Sequence, residues 1–111
     1  MQSRILTLSD ISRIATPIVQ KYRVPALYVF GSYARGTASE NSDIDLLIDT
    51  DGTDLTSLFA LGALYSELED ALGKPIDLIT VSALTQTPAM PSERNFTNTV
   101  MKERVSLYHA A

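Results

Sequence analysis

A chain of 111 residues with 45% hydrophobic residues, a formal net charge of −4 and no cysteine is expected to fold as a single domain, 1–111, around one modest core. The missing cysteines exclude a disulfide framework and a thiolate metal site, and the acidic balance argues against a grip on extended DNA or RNA, which calls for a basic stripe. No apolar run reaches membrane-spanning length and the first residues lack the apolar stretch of a signal peptide, so the chain is read as cytoplasmic and without a membrane partner.

Thr7 and Ser9 are candidate N-caps for an amphipathic helix whose apolar positions Leu8, Ile11, Ile14, Ala15, Ile18, Val19 and Tyr22 follow at helical spacing. Pro17 lies inside that pattern and predicts a kink or break. Pro25 marks the entry to Ala26-Leu27-Tyr28-Val29-Phe30, a short strand ending at Gly31. Ser32 to Gly36 suits a short helical turn, and a polar loop over 37–42 leads to the second strand, Asp43-Ile44-Asp45-Leu46-Leu47-Ile48-Asp49. Turn residues 50–54 precede a long helix from Leu55 to Leu72, stopped by Gly73 and Pro75. Ile76 to Val81 reads as the third strand. A loop over 85–91, a short helix around Phe96 to Lys102 and an apolar tail at Val105, Leu107 and Tyr108 complete the pattern.

The chemistry concentrates in Gly31-Ser32 and in three aspartates. Side chains alternate along a strand, so Asp43 and Asp45 project from one face, and Asp77 has a similar apolar strand context between Ile76 and Leu78. For these groups to meet, the first strand must run antiparallel to the other two, which are then parallel and joined by the long helix. The sheet is expected to be mixed. Three clustered carboxylates repel one another unless a cation sits among them, and oxygen-only ligands favour Mg²⁺ or Mn²⁺, two ions suiting an in-line phosphoryl displacement. Gly31 would let a phosphate approach the backbone and the Ser32 hydroxyl would add a donor. Arg35 is a candidate phosphate contact and equally a candidate for a structural ion pair.

A Gly-Ser pair before a polar segment is ordinarily only a turn. At this spacing from Asp-x-Asp it arises by chance in roughly one chain of this size per thousand. The acids Asp49, Asp51 and Asp54 lack the offsets of a calcium loop and read as solvated turn residues. His109, the single histidine, reads as a solvated tail residue. The long helix is apolar over Leu58 to Tyr65, wider than one core-facing stripe, which fits either a central position or a surface that meets another chain.

Phe30-Gly31-Ser32-Tyr33-Ala34-Arg35-Gly36 together with Ser42-Asp43-Ile44-Asp45-Leu46 resembles the signature of the minimal nucleotidyltransferases, within the superfamily related to DNA polymerase beta. The resemblance covers residues 18–81 best and the tail from 102 to 108 more weakly. It implies a two-layer α/β nucleotidyltransferase fold, a small mixed sheet packed with helices. Gly31 and Ser32, with Arg35, would form the nucleotide site; Asp43, Asp45 and Asp77 would be the metal ligands and catalytic carboxylates. ATP would be the substrate. It further implies an antitoxin of a type VII-like toxin–antitoxin pair, in hetero-oligomer with an HEPN-family ribonuclease toxin, one of whose tyrosines receives AMP. Two rival readings are a nucleotidyltransferase acting on a small molecule and a non-catalytic antitoxin that acts by sequestration.

Overall fold

The computed structural model describes residues 5–55, 57–84 and 91–110. The first helix, α1 (Leu8–Lys21), starts at Thr7, whose hydroxyl accepts from the Asp10 amide at 3.0 Å while the Asp10 carboxylate accepts from the Thr7 amide at 3.1 Å. This reciprocal cap satisfies two otherwise orphaned donors. Ile11, Ala15 and Val19 form its buried stripe. The break expected at Pro17 does not occur: the helix runs through it, and Pro17 lies exposed. On the solvent side, the carbonyl that a proline leaves unbonded can turn to water, so the helix survives the lost bond.

Strand β1 (Ala26–Phe30) leads directly into the one-turn helix α2 (Gly31–Arg35), closed by Gly36 at φ +76°. Strand β2 (Ile44–Asp49) is followed by α3 (Leu58–Leu72), which begins three residues later than its apolar pattern predicts because Ser57 caps it, its hydroxyl accepting from the Ala60 amide. Gly73 ends α3 at φ +69°. Then come β3 (Ile76–Thr80), the short α4 (Val81–Leu84), α5 (Pro91–Glu103) and β4 (Val105–His109). The predicted loop falls largely on 85–90, outside the described residues.

The four strands form one mixed sheet in the order β3-β2-β1-β4. β1 is antiparallel to β2, and β2 is parallel to β3, as the motif positions require. The fourth strand is a correction: the apolar tail pairs antiparallel with β1, Ala26 opposite His109 and Val29 opposite Val105. His109 is therefore an exposed strand residue rather than a loose end.

Alternation sorts the strands into two faces. Leu27, Val29, Ile44, Leu46 and Ile48 join Ile11, Ala15 and Val19 of α1 and Leu64, Leu68 and Leu72 of α3 in the larger core. Phe30 and Leu47, on the other face, meet Leu84 of α4 and Val100 of α5 in a smaller cluster. In β2 four residues, Ile44, Leu46, Leu47 and Ile48, are wholly buried, each stabilising the fold by about 1.5–3 kcal/mol. That anchorage is strong enough to hold like-charged aspartates at the end of the same strand. The broad apolar run of α3 turns out to be divided: Leu64, Leu68 and Leu72 are core, whereas Leu58 and Phe59 are 89% and 83% exposed.

Candidate active site

The site forms where β1 ends and β2 and β3 begin. Ser39 and Ser42 close a tight turn: the Ser42 amide donates to the Ser39 carbonyl at 3.0 Å and the Ser39 amide to the Ser42 hydroxyl at 2.9 Å. This turn delivers Asp43 to the edge of the sheet, one residue before β2. The Ile44 amide then donates to the Pro75 carbonyl at 3.2 Å and locks the two strand starts together. Lys74 reaches back to donate to the Glu40 carbonyl at 2.8 Å, with its ammonium 6.0 Å from the Tyr33 ring centre.

That pairing fixes the register. Asp45 lies opposite Asp77 in the parallel ladder and opposite Phe30 in the antiparallel one, so Asp43, Asp45, Asp77 and the Phe30 ring share one face. Gly31 follows immediately and turns towards Asp45. At φ +70° its backbone occupies a region that side chains disfavour, and a Cβ built there would overlap Asp45 Oδ2 and lie 3.1 Å from Asp45 Cγ. Only a residue without a side chain lets the turn sit against the carboxylate.

Electrostatics report the same gathering. The Asp45 carboxyl is held above its usual range, first by partial burial, then by the charges of Asp77 and Asp43, with Arg35 pulling the other way. Asp43 and Asp77 are exposed. Among the described residues no group of three or more His, Cys, Asp or Glu is drawn together as a ready-made metal cage.

Arg35 is the sequence candidate whose placement is most informative. Its Nη1 donates to Glu103 Oε1 of α5 at 2.9 Å, forming an exposed ion pair. Two neighbours had escaped sequence reasoning. The Tyr65 hydroxyl donates to the Ile76 carbonyl at 3.0 Å, tying α3 to β3 one residue before Asp77, and its phenol is held above the ordinary range by burial, then by Glu69, Asp77 and Asp43. Lys74 is the other. Neither position carries a local signal, because each acts on a residue distant in sequence or on its backbone.

The profile of the nucleotidyltransferase domain family matches residues 11–107. A Methanocaldococcus jannaschii protein provisionally named a protein adenylyltransferase is 38% identical over 71% of this chain and 83% of its own length. The protein adenylyltransferase MntA of Thermococcus cleftensis is likewise 38% identical, over 72% of this chain and 83% of its own. Among solved structures, one provisionally described as a minimal nucleotidyltransferase aligns with a TM-score of 0.66 at 26% identity, covering 90% of this chain and 95% of its own. A toxin–antitoxin crystal structure with AMP-PNP aligns with a TM-score of 0.68 at 23% identity, covering 89% of this chain and 73% of that one, a likeness of fold. No helix among the described residues is long and apolar enough to cross a membrane.

Proposed function

Because this chain belongs to the nucleotidyltransferase domain family, we propose that it transfers AMP from ATP to a tyrosine hydroxyl of an HEPN-family toxin and thereby acts as that toxin's antitoxin. The observation that carries the reading is the apposition of the Gly31 backbone and the Asp45 carboxylate, with Asp77 beside Asp45 in register. Relatives that share 38% identity bear the name of protein adenylyltransferase, and a structural neighbour is an MNT antitoxin in complex with a tri-AMPylated HEPN toxin of Shewanella oneidensis. The cytoplasm is the compartment in which ATP and such a partner would meet this chain.

In this reading the phosphates of ATP rest on Gly31 and Ser32, where the glycine admits close approach and the following turn presents backbone N–H groups. Arg35, released from Glu103, adds positive charge. Asp77 takes the proton of the attacking hydroxyl, whose oxygen bonds to the α-phosphorus as the bridge to the β-phosphate breaks and pyrophosphate departs. The donor set fits Mg²⁺ or Mn²⁺, being oxygen-only, and the Asp45 carboxyl, raised first by burial and then by the charges of Asp77 and Asp43, is one that a nearby cation would favour in its ionised form. Asp43, Asp45 and Asp77 would hold such ions, which when bound supply charge neutralisation at the phosphates.

The test is the intact mass of an HEPN-type partner incubated with this chain, Mg²⁺ and ATP. The expected outcome is a gain of one or more AMP units that disappears with Asp43→Ala or Asp45→Ala. A stable complex with no gain in mass would replace transfer by sequestration.

A further inference from the structure

Phe96 is set apart from the other aromatic residues near the carboxylates. Its ring is 49% exposed, yet it meets the buried Phe30 edge-on, with ring centres 6.4 Å apart and planes at 80°. Phe30 precedes Gly31 and is the cross-strand partner of Asp45, so its ring stands on the face that carries the Asp45 and Asp77 carboxylates. Val100, one turn further along α5, is covered to 2% exposure by the same cluster. Phe96, by contrast, keeps about half of its surface exposed while touching the ring that precedes Gly31.

The helix that presents it is anchored close to the ring: the Thr97 hydroxyl donates to the Leu84 carbonyl at 3.0 Å, and Val100 is buried in one cluster with Phe30 and Leu84. An exposed aromatic ring held in place beside a phosphate-accepting turn is suited to one component of a nucleotide above all, its base, whose flat apolar face stacks on such rings.

Resting on the nucleotidyltransferase reading, we infer that Phe96 is the stacking platform for the nucleobase, backed edge-on by Phe30. The phosphates then lie at Gly31 and Ser32 and the base extends along the β1 end towards α5. Because every base offers a π-face, this subsite adds affinity without choosing among bases.

Titration calorimetry of the full chain with Mg²⁺ tests the idea, using ATP, GTP and inorganic tripolyphosphate as ligands. Phe96→Ala is expected to weaken ATP and GTP alike, by about 5- to 150-fold from the strength of base–aromatic stacking, and to leave tripolyphosphate unchanged. Phe96→Trp, which keeps the platform, is expected to restore nucleotide binding. Unchanged ATP binding by Phe96→Ala overturns the inference, as does equal weakening of tripolyphosphate, which would mark Phe96 as a structural support of the phosphate turn. A wild-type chain that bound none of the three would overturn the nucleotidyltransferase reading itself, and the subsite with it.

Discussion

Replacing Gly31 by alanine tests the central contact of the site. Two costs arise. An alanine at φ +70° strains the backbone by about 1–2 kcal/mol, partly offset by the roughly 0.4–1 kcal/mol that a stiffer unfolded chain returns. The new methyl also overlaps Asp45 Oδ2, and turning that carboxylate off its preferred rotamer costs about 0.5–1.5 kcal/mol more. Gly73 isolates the first cost, having φ +69° with nothing within 4 Å of a built Cβ. Gly73→Ala should therefore lose about 1 kcal/mol and Gly31→Ala about 1.5–2.5 kcal/mol, or roughly 4 °C and 6–10 °C of Tm for a chain of this size. Thermal melts followed by circular dichroism read these values. In an Asp45→Ala background the penalty at Gly31 should fall to that at Gly73, since the obstructing carboxylate is gone. Transfer to the partner should drop on the order of 100-fold in Gly31→Ala, as expected for a reacting group moved by about 1 Å. If Gly31→Ala and Gly73→Ala melt alike in both backgrounds, or Gly31→Ala transfers at the wild-type rate, the apposition of turn and carboxylate is not what organises the site.

Asp45 and Arg35 supply the other predictions. The Asp45 carboxyl is held above its ordinary 3.8, so its stabilising effect is present below that value and lost as pH rises through the higher folded one. Without divalent metal, Asp45→Asn should be more stable than wild type at neutral pH, the gap closing as pH falls towards 3.8; paired melts across pH check this, and a less stable Asp45→Asn at neutral pH would contradict it. Adding Mg²⁺ should raise the Tm of wild type more than that of Asp45→Asn. For Arg35, an exposed pair such as that with Glu103 contributes about 0–1 kcal/mol, so Glu103→Gln should melt within that margin and bind ATP at least as well as wild type. Arg35→Gln should bind ATP more weakly; equal loss in both variants would make Arg35 only a tie between α2 and α5.

Much of the site was legible because its signals are local. The strands at 26–30, 44–49 and 76–80 were visible as short apolar runs bounded by proline, glycine and polar turns, and the alternation of Asp43, Ile44 and Asp45 states which side chains share a face. The caps that set the true start of α3, and the survival of α1 at Pro17, depend on side-chain hydrogen bonds and on the direction a residue faces. Those are settled by the surroundings.

β4 shows where local reasoning stops. Val105–His109 is a run of only five residues; it becomes a strand through its ladder to β1, the Ala110 amide donating to the Pro25 carbonyl at 2.8 Å and the Ser12 hydroxyl of α1 to the Leu107 carbonyl at 2.8 Å. The sequence by itself marked out the candidate residues for the proposed chemistry, Gly31, Ser32, Asp43, Asp45 and Asp77, since residue type and alternation are properties of a few neighbouring positions. Only the tertiary structure decided that Asp45 faces Asp77 and Gly31, that Arg35 is held by Glu103, and that the Phe96 ring meets Phe30. Those meetings join positions far apart in the chain, and they are chosen by strand register and core packing, which no short stretch of sequence encodes.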